Sequence, residues 1–344
     1  MKTYVILFAF FILSLDVSSQ KSYKTGKLIE NQLFSKNLIN KVNEVNTRNV
    51  LVYIPPSYGI ESSKYYPTLY LLHSYGETLE SWKDSPNTQR LHIQKTMDSL
   101  ISIGKISEMI VVMPDCSNRF GGSWYTNSST LGFWETFISI DLVEYIDKNF
   151  RTIANSTSRG IAGHSMGGYG ALKIAMKNPD VFGSVYAMSS ANLASDKLSI
   201  MKYGELLKKL NNKSPLRDYT LFEKLILSKA LAFVPNDVPP YYSDYLYSVK
   251  NDTIVRDESV WNRWSSHLLI NQIDDYKTKN LTLTIAFDHG SEDFLINESR
   301  DFSRQLHNKG IGHIFSEYSG DHTNKFRVRF ETYMLPFFSN NLEK

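Results

Sequence analysis

The sequence predicts an α/β fold, a mostly parallel central sheet flanked by helices, and three observations carry the prediction. Short apolar runs alternate with helical stretches along most of the 344 residues, as at 52–54, 67–73 and 109–113. Residues 159–162 read as the end of a buried strand that breaks at Gly163-His164-Ser165-Met166-Gly167-Gly168 and re-enters as a helix over 169–176. Beyond a long interruption, the alternation resumes with a strand at 281–287, a helix at 297–308 and a last strand at 311–318. An apolar share of 42% with 21% charged residues is that of an ordinary globular protein, and the length suffices for a large core.

The elements follow in order. Met1-Lys2, an apolar run over 4–13 and Val17-Ser18-Ser19-Gln20 describe a secretory signal peptide, with cleavage expected between Ser19 and Gln20. The run is too short to span a bilayer by itself, so no stable membrane anchor is expected. Residues 20–344 read as one domain. Within it, 20–50 form an antiparallel meander, 51–190 supply strands and helices through the Ser165 turn, and 276–344 return to the sheet. Residues 192–275 are rich in Lys, Tyr and Leu and break the alternation. They read as an insertion with helices at 200–210 and 221–231 and a Pro-punctuated loop at 233–242, a lid-like segment by the resemblance given below or else a peripheral decoration.

The chemistry is concentrated in three places. A serine hydroxyl is a poor nucleophile at neutral pH and needs a fixed, exposed position and a neighbouring base. The strand-to-helix turn at Ser165 supplies the position, and its glycines let the turn close. The same turn aims the Met166 N–H at a developing oxyanion. The late strand runs into Asp288-His289-Gly290-Ser291-Glu292-Asp293, where three carboxylates compete for the role of acid. The last strand leads to Ser319-Gly320-Asp321-His322, and His322 fits the base.

Together GHSMGGYGA around Ser165, DHGSEDFL around Asp293 and SGDHT around His322 resemble the putative-esterase family of α/β-hydrolases. That family includes feruloyl and acetyl-xylan esterases, S-formylglutathione hydrolases, enterochelin-esterase-like hydrolases and mycolyl transferases. The resemblance extends over VYIPPSY at 52–58, PTLYLLH at 67–73, VVMPD at 111–115 and NPDVF at 178–182. It implies the α/β-hydrolase fold and a triad of Ser165, His322 and Asp293, the acid lying three residues after Gly290. Asp288 is then a hydrogen-bonded turn residue. The resemblance also implies backbone oxyanion donors at Tyr75 and Met166. The chain departs from the family's His-Gly at His73-Ser74-Tyr75-Gly76.

Aromatic residues after strand ends, Trp124 and Tyr125 among them, join His164 and the insertion's Tyr241 and Tyr242 as candidate substrate contacts. Trp82, Trp134, Tyr245, Trp261 and Trp264 read as core or lid packing, and Asp115 and Glu135 as structural hydrogen-bonders. Cys116 is the sole cysteine, which excludes an internal disulfide and suits a structural position. Eight histidines without His-x-His or HExxH spacing give no support to a metal site, and no cofactor motif occurs. A net charge of +3 without a basic aromatic platform argues against nucleic acid, and nothing fixes an oligomeric state. The resemblance and the leader together imply a secreted serine carboxylesterase acting on feruloyl or acetyl esters of polysaccharides. The alternatives are a siderophore or other small-ester hydrolase, an acyltransferase, and an inactive carbohydrate-binding homologue.

Overall fold

In the computed structural model the described residues are 25–83, 91–195, 206–207, 209–210, 215–239, 242–250 and 253–344. The expected signal peptide lies outside them. Among them, no helix is long and apolar enough to cross a membrane.

Eight strands form the central sheet: β1 (Lys27–Phe34), β2 (Thr47–Ile54), β3 (Thr68–Leu72), β4 (Ile110–Pro114), β5 (Arg159–His164), β6 (Ser184–Met188), β7 (Thr284–Gly290) and β8 (His313–Tyr318). Their order is β1-β2-β4-β3-β5-β6-β7-β8. The first two pairings, β1 with β2 and β2 with β4, are antiparallel, and the first of them falls where the N-terminal meander is expected. Every pairing from β4 to β8 is parallel.

Side chains on a strand alternate between faces, so each buried strand feeds two cores. Val50 and Val52, Tyr70 and Leu72, Ile110 and Val112, and Val185 and Ala187 pack on one face. Leu51 and Tyr53, Leu69 and Leu71, Val111 and Met113, and Tyr186 and Met188 pack on the other. The first face is covered by α2 (Met166–Lys177), the second by α1 (Ile93–Ser102) and by Phe337, Phe338 and Leu342 near the C-terminus. Full burial of one such aliphatic side chain contributes about 1.5–3 kcal/mol. Near-continuous apolar strands are what a sheet covered on both faces demands.

The described residues between β6 and β7 leave the sheet. They include α3 (Leu221–Phe233), a hairpin of Tyr247–Lys250 with Thr253–Arg256, and α4 (Glu258–Ser265). Thr220 and Glu223 close a capping box that starts α3. Ile226, Leu227, Ala230, Leu231 and Phe233 of α3 join the first core, so the insertion is welded to the body. Ser228 Oγ accepts from Trp124 Nε1 at 2.9 Å, and the Leu231 carbonyl accepts from Ser128 Oγ at 2.6 Å.

Two expectations are corrected here. Strand β7 runs on through Asp288, His289 and Gly290, which pair with Ser316, Glu317 and Tyr318 of β8. Asp288 is therefore a buried strand residue and not part of a turn. Its Oδ2 accepts from Tyr186 OH at 2.6 Å and Arg329 Nε at 2.8 Å, partners far away in sequence.

Candidate active site

In parallel sheets, loops at the carboxyl ends of the strands converge on one side, and ligands bind there. Ser165 follows β5, Tyr75 follows β3, Asp293 follows β7 and His322 follows β8. The topology thus delivers all four sequence-predicted positions to one edge.

Ser165 has φ 56° and ψ −115°, a left-handed conformation outside the ordinary range for a side-chain-bearing residue. Such strain costs on the order of 1–3 kcal/mol and persists only where the surroundings enforce it. Here its N–H donates to the Met188 carbonyl at 2.9 Å, and its carbonyl accepts from Tyr169 N–H at 3.0 Å. The glycines are dictated by backbone approach: a Cβ on Gly167 would stand 2.1 Å from the Leu72 carbonyl oxygen, and one on Gly163 2.3 Å from Gly167 C. The hydroxyl is thereby thrust out at the start of α2.

His322 Nε2 lies 2.9 Å from Ser165 Oγ, and His322 Nδ1 lies 2.6 Å from Asp293 Oδ2. A carboxylate can only accept, so Nδ1 carries the hydrogen and the Nε2 lone pair faces the serine hydroxyl. Asp293 is buried, while His322 keeps partial exposure. Burial alone would raise the Asp293 carboxyl, but His289 and His322 beside it hold it well below the usual carboxylate range. Leu295 N–H adds a 2.9 Å bond to Oδ1. Glu292, the competing carboxylate, is exposed and accepts from Ser319 Oγ at 3.3 Å.

Among the described residues, neither the Tyr75 nor the Met166 N–H donates to a protein acceptor. The turn carrying Tyr75 is held from below. His73 Nδ1–H donates to the Ser74 carbonyl at 2.9 Å, and Nε2 accepts from Cys116 N–H at 2.9 Å. From the side, Tyr75 OH donates to the Phe120 carbonyl at 2.6 Å. Gly122 lets the neighbouring loop pass, since a Cβ there would meet Met166 Sδ at 2.4 Å.

Ser74, the point of departure from the expected His-Gly, is used. His164 Nε2 lies 2.7 Å from the His322 carbonyl oxygen and must donate to it. Its Nδ1 therefore accepts, and Ser74 Oγ supplies the hydrogen at 2.9 Å. Burial, then the nearby His322, depresses the His164 imidazole to about 3, so it stays neutral. His164 thus tethers the backbone that carries His322.

Other candidate substrate contacts fall elsewhere. Trp124 and Tyr125 are 1% and 0% exposed, and Tyr125 OH donates to the His73 carbonyl at 2.8 Å. The expected platform is core: Trp124 meets Phe233 edge-on at 5.9 Å and Lys229 Nζ sits 4.8 Å over its ring. Tyr242 is half-buried, its carbonyl accepting from Thr130 Oγ1 at 2.6 Å, and Tyr241 lies outside the described residues. Cys116 is buried in the core, its thiol pushed up by burial. The exposed ring beside His322 is Phe294, 65% exposed with ring centres 5.7 Å apart. Its adjacency to Asp293 was the available signal, but nothing local distinguishes an exposed Phe from a buried one.

His289, Asp293 and His322 bring three potential metal-ligand atoms within 4.8 Å of one another. Asp293 Oδ2 is 2.7 Å from His289 Nε2 and 2.6 Å from His322 Nδ1. Ligand atoms around a tetrahedral zinc stand roughly 3.3 Å apart, so these are proton-sharing distances that an ion would have to spread.

A family model described as "Putative esterase" matches residues 44–335. An esterase of Mycobacterium tuberculosis is 29% identical over 293 residues, 79% of this chain and 52% of that protein. An endo-1,4-beta-xylanase/feruloyl esterase of Xylanibacter ruminicola is 38% identical over 137 residues, 38% of this chain and 18% of that one. The chain spans about half the length of the first relative and less of the second. Among solved structures, a ferulic acid esterase superposes with a TM-score of 0.64 at 24% identity, covering 92% of this chain and 99% of that chain. That likeness concerns the α/β-hydrolase fold. With the family model spanning most of the sequence, the chain belongs to the "Putative esterase" family.

Proposed function

We propose that the chain is a secreted serine carboxylesterase working through an acyl-enzyme, with Ser165 as nucleophile, His322 as base and Asp293 as its orienting acid. The observation that carries the reading is the unbroken pair of contacts from Ser165 Oγ through His322 to Asp293, at 2.9 and 2.6 Å. As Ser165 Oγ attacks the ester carbonyl, its proton passes to His322 Nε2, and Asp293 stabilises the imidazolium. The Tyr75 and Met166 N–H groups receive the oxyanion. Collapse expels the alcohol with the proton from Nε2, and water, deprotonated by the same nitrogen, releases the acid.

Feruloyl or acetyl esters of polysaccharides are the proposed substrates. Support comes from the relative named as a xylanase/feruloyl esterase and from one named as an acetyl esterase of Caldicellulosiruptor saccharolyticus, 23% identical over 260 residues. The exposed Phe294 ring adds an apolar wall against which a phenolic acyl group can stack. Export rests on the leader, and a mature N-terminus at Gln20 by mass spectrometry checks it.

The test is a panel of feruloyl- and acetyl-oligosaccharides, siderophore esters and p-nitrophenyl acetate, each with and without EDTA. The proposal requires turnover that survives EDTA, with kcat/KM for the oligosaccharide esters above that for the siderophore esters. Preference for the siderophore esters would reassign the substrate class. Turnover of none, with retained oligosaccharide binding, would make the chain a carbohydrate-binding homologue.

A further inference from the structure

His289 has no part in the triad, yet it is fully buried against it. It sits on β7, and its Nε2 lies 2.7 Å from Asp293 Oδ2, the same oxygen that takes the His322 hydrogen at 2.6 Å. At 2.7 Å a ring lone pair facing a carboxylate would be repelled, so one proton must lie between them. The pair is a close polar contact rather than a hydrogen bond of ordinary geometry, so the buried Nε2 has no other partner than this oxygen. On the far side of the ring, Nδ1 lies 2.7 Å from Ser299 Oγ on α5 (Ile296–Asn308). With Nε2 carrying the hydrogen, Nδ1 accepts from the Ser299 hydroxyl.

We propose that His289 is a positioning residue that shares Asp293 Oδ2 with His322 and so sets how strongly the acid holds the catalytic imidazole. This rests on the esterase reading above. Ser299, His289, Asp293, His322 and Ser165 form one chain, running from the body of the protein to the nucleophile. An oxygen approached by two imidazole nitrogens, one hydrogen-bonded and one in close polar contact, gives less to each. The base therefore releases its proton to the leaving alcohol more readily than it would beside an undivided carboxylate. The other titratable groups around the ring are already committed. Asp288 pairs with Arg329, Glu317 on β8 pairs with Arg300 of α5, Glu298 accepts from Leu193 N–H, and His164 donates to the His322 carbonyl. None of them replaces the His289 hydrogen on Oδ2.

The test compares His289→Phe, which keeps a ring and removes the donor, with His289→Gln, whose amide nitrogen can reach the Nε2 position. Both are measured by kcat/KM against pH on p-nitrophenyl acetate, with circular dichroism as the control for folding. His289→Phe is expected to move the midpoint of the acid limb up by roughly one pH unit, because Oδ2 then serves His322 alone and stabilises its charged form. His289→Gln is expected to return the midpoint to the wild-type position. A folded Phe variant with the wild-type profile overturns the inference, and so does a Gln variant displaced as far as the Phe variant. If the wild type itself turns over no ester, the esterase reading has failed instead. If His289→Phe does not fold, His289→Leu, smaller and likewise without a donor, supplies the reading, and a folded Leu variant with the wild-type profile contradicts the proposal.

Discussion

At the Ser165 turn backbone meets backbone, whereas in the insertion side chain meets side chain. Gly163, Gly167 and Leu72 approach so closely that one added methyl group would collide at 2.1–2.3 Å. The insertion is held by rings: Phe233 meets Trp264 edge-on at 5.5 Å and stacks on His267 at 4.6 Å, under Trp124. Backbone contact admits one geometry, while ring packing can be rearranged at modest cost. The difference teaches where variation can go. The region that fixes the nucleophile tolerates no added atom, whereas ring packing in the insertion admits volume-conserving change.

The largest effect should come from the rigid region. Ser165→Ala removes a single oxygen and is expected to keep the fold while lowering kcat for p-nitrophenyl acetate by roughly 10⁶. Asp293→Asn should cost less, roughly 10⁴, because the base survives with its orientation weakened. Equal losses in the two variants would mean that Asp293 does more than orient. Gly167→Ala tests the backbone side of the comparison directly. It is expected to lower Tm and activity together, with a destabilisation at or above the roughly 1–3 kcal/mol of ordinary overpacking, since a carbonyl cannot swing aside as a side chain can. A Gly167→Ala enzyme as stable and active as wild type would erase the contrast.

The smallest effect belongs to the insertion. Shortening the loop at 235–245 should change the ratio of kcat/KM for a feruloyl oligosaccharide to that for p-nitrophenyl acetate by a few-fold, leaving the small ester nearly untouched. A small activated ester needs only the triad and the oxyanion donors, whereas a bulky one draws on remote contacts for orientation. An unchanged ratio with the fold intact would make the insertion structural only.

The same contrast explains what the sequence made legible. The Ser165 turn is written locally, because a strained turn between strand and helix demands small residues at fixed offsets, and GHSMGG has them. The order of Ser165, Asp293 and His322 was legible too, since the sheet topology brings the loops after β5, β7 and β8 to one edge. What failed depended on distant partners. Asp288 reads as a turn residue until pairing with Met188 and Ser316 extends the strand over it, and Arg329, 41 positions on, takes its carboxylate. Trp124 and Tyr125 read as candidate substrate contacts until the fold buries both, Trp124 against α3 with Ser228 104 residues away. His289 stands beside Gly290 in plain view, but its place on Asp293 follows from β7 continuing three residues further than its apolar alternation suggests.

The proposed mechanism requires Ser165 to be the nucleophile, since among the described residues its hydroxyl stands on the strained turn opposite the His322 lone pair. Titration with a fluorophosphonate, followed by peptide mass spectrometry, tests it most directly. The account predicts about one equivalent of phosphonyl adduct per chain, carried on the peptide containing Ser165, with activity lost in proportion and no labelling of Ser165→Ala. Inactivation accompanied by an adduct elsewhere, or a Ser165→Ala protein that still labels and still hydrolyses ester, would contradict it.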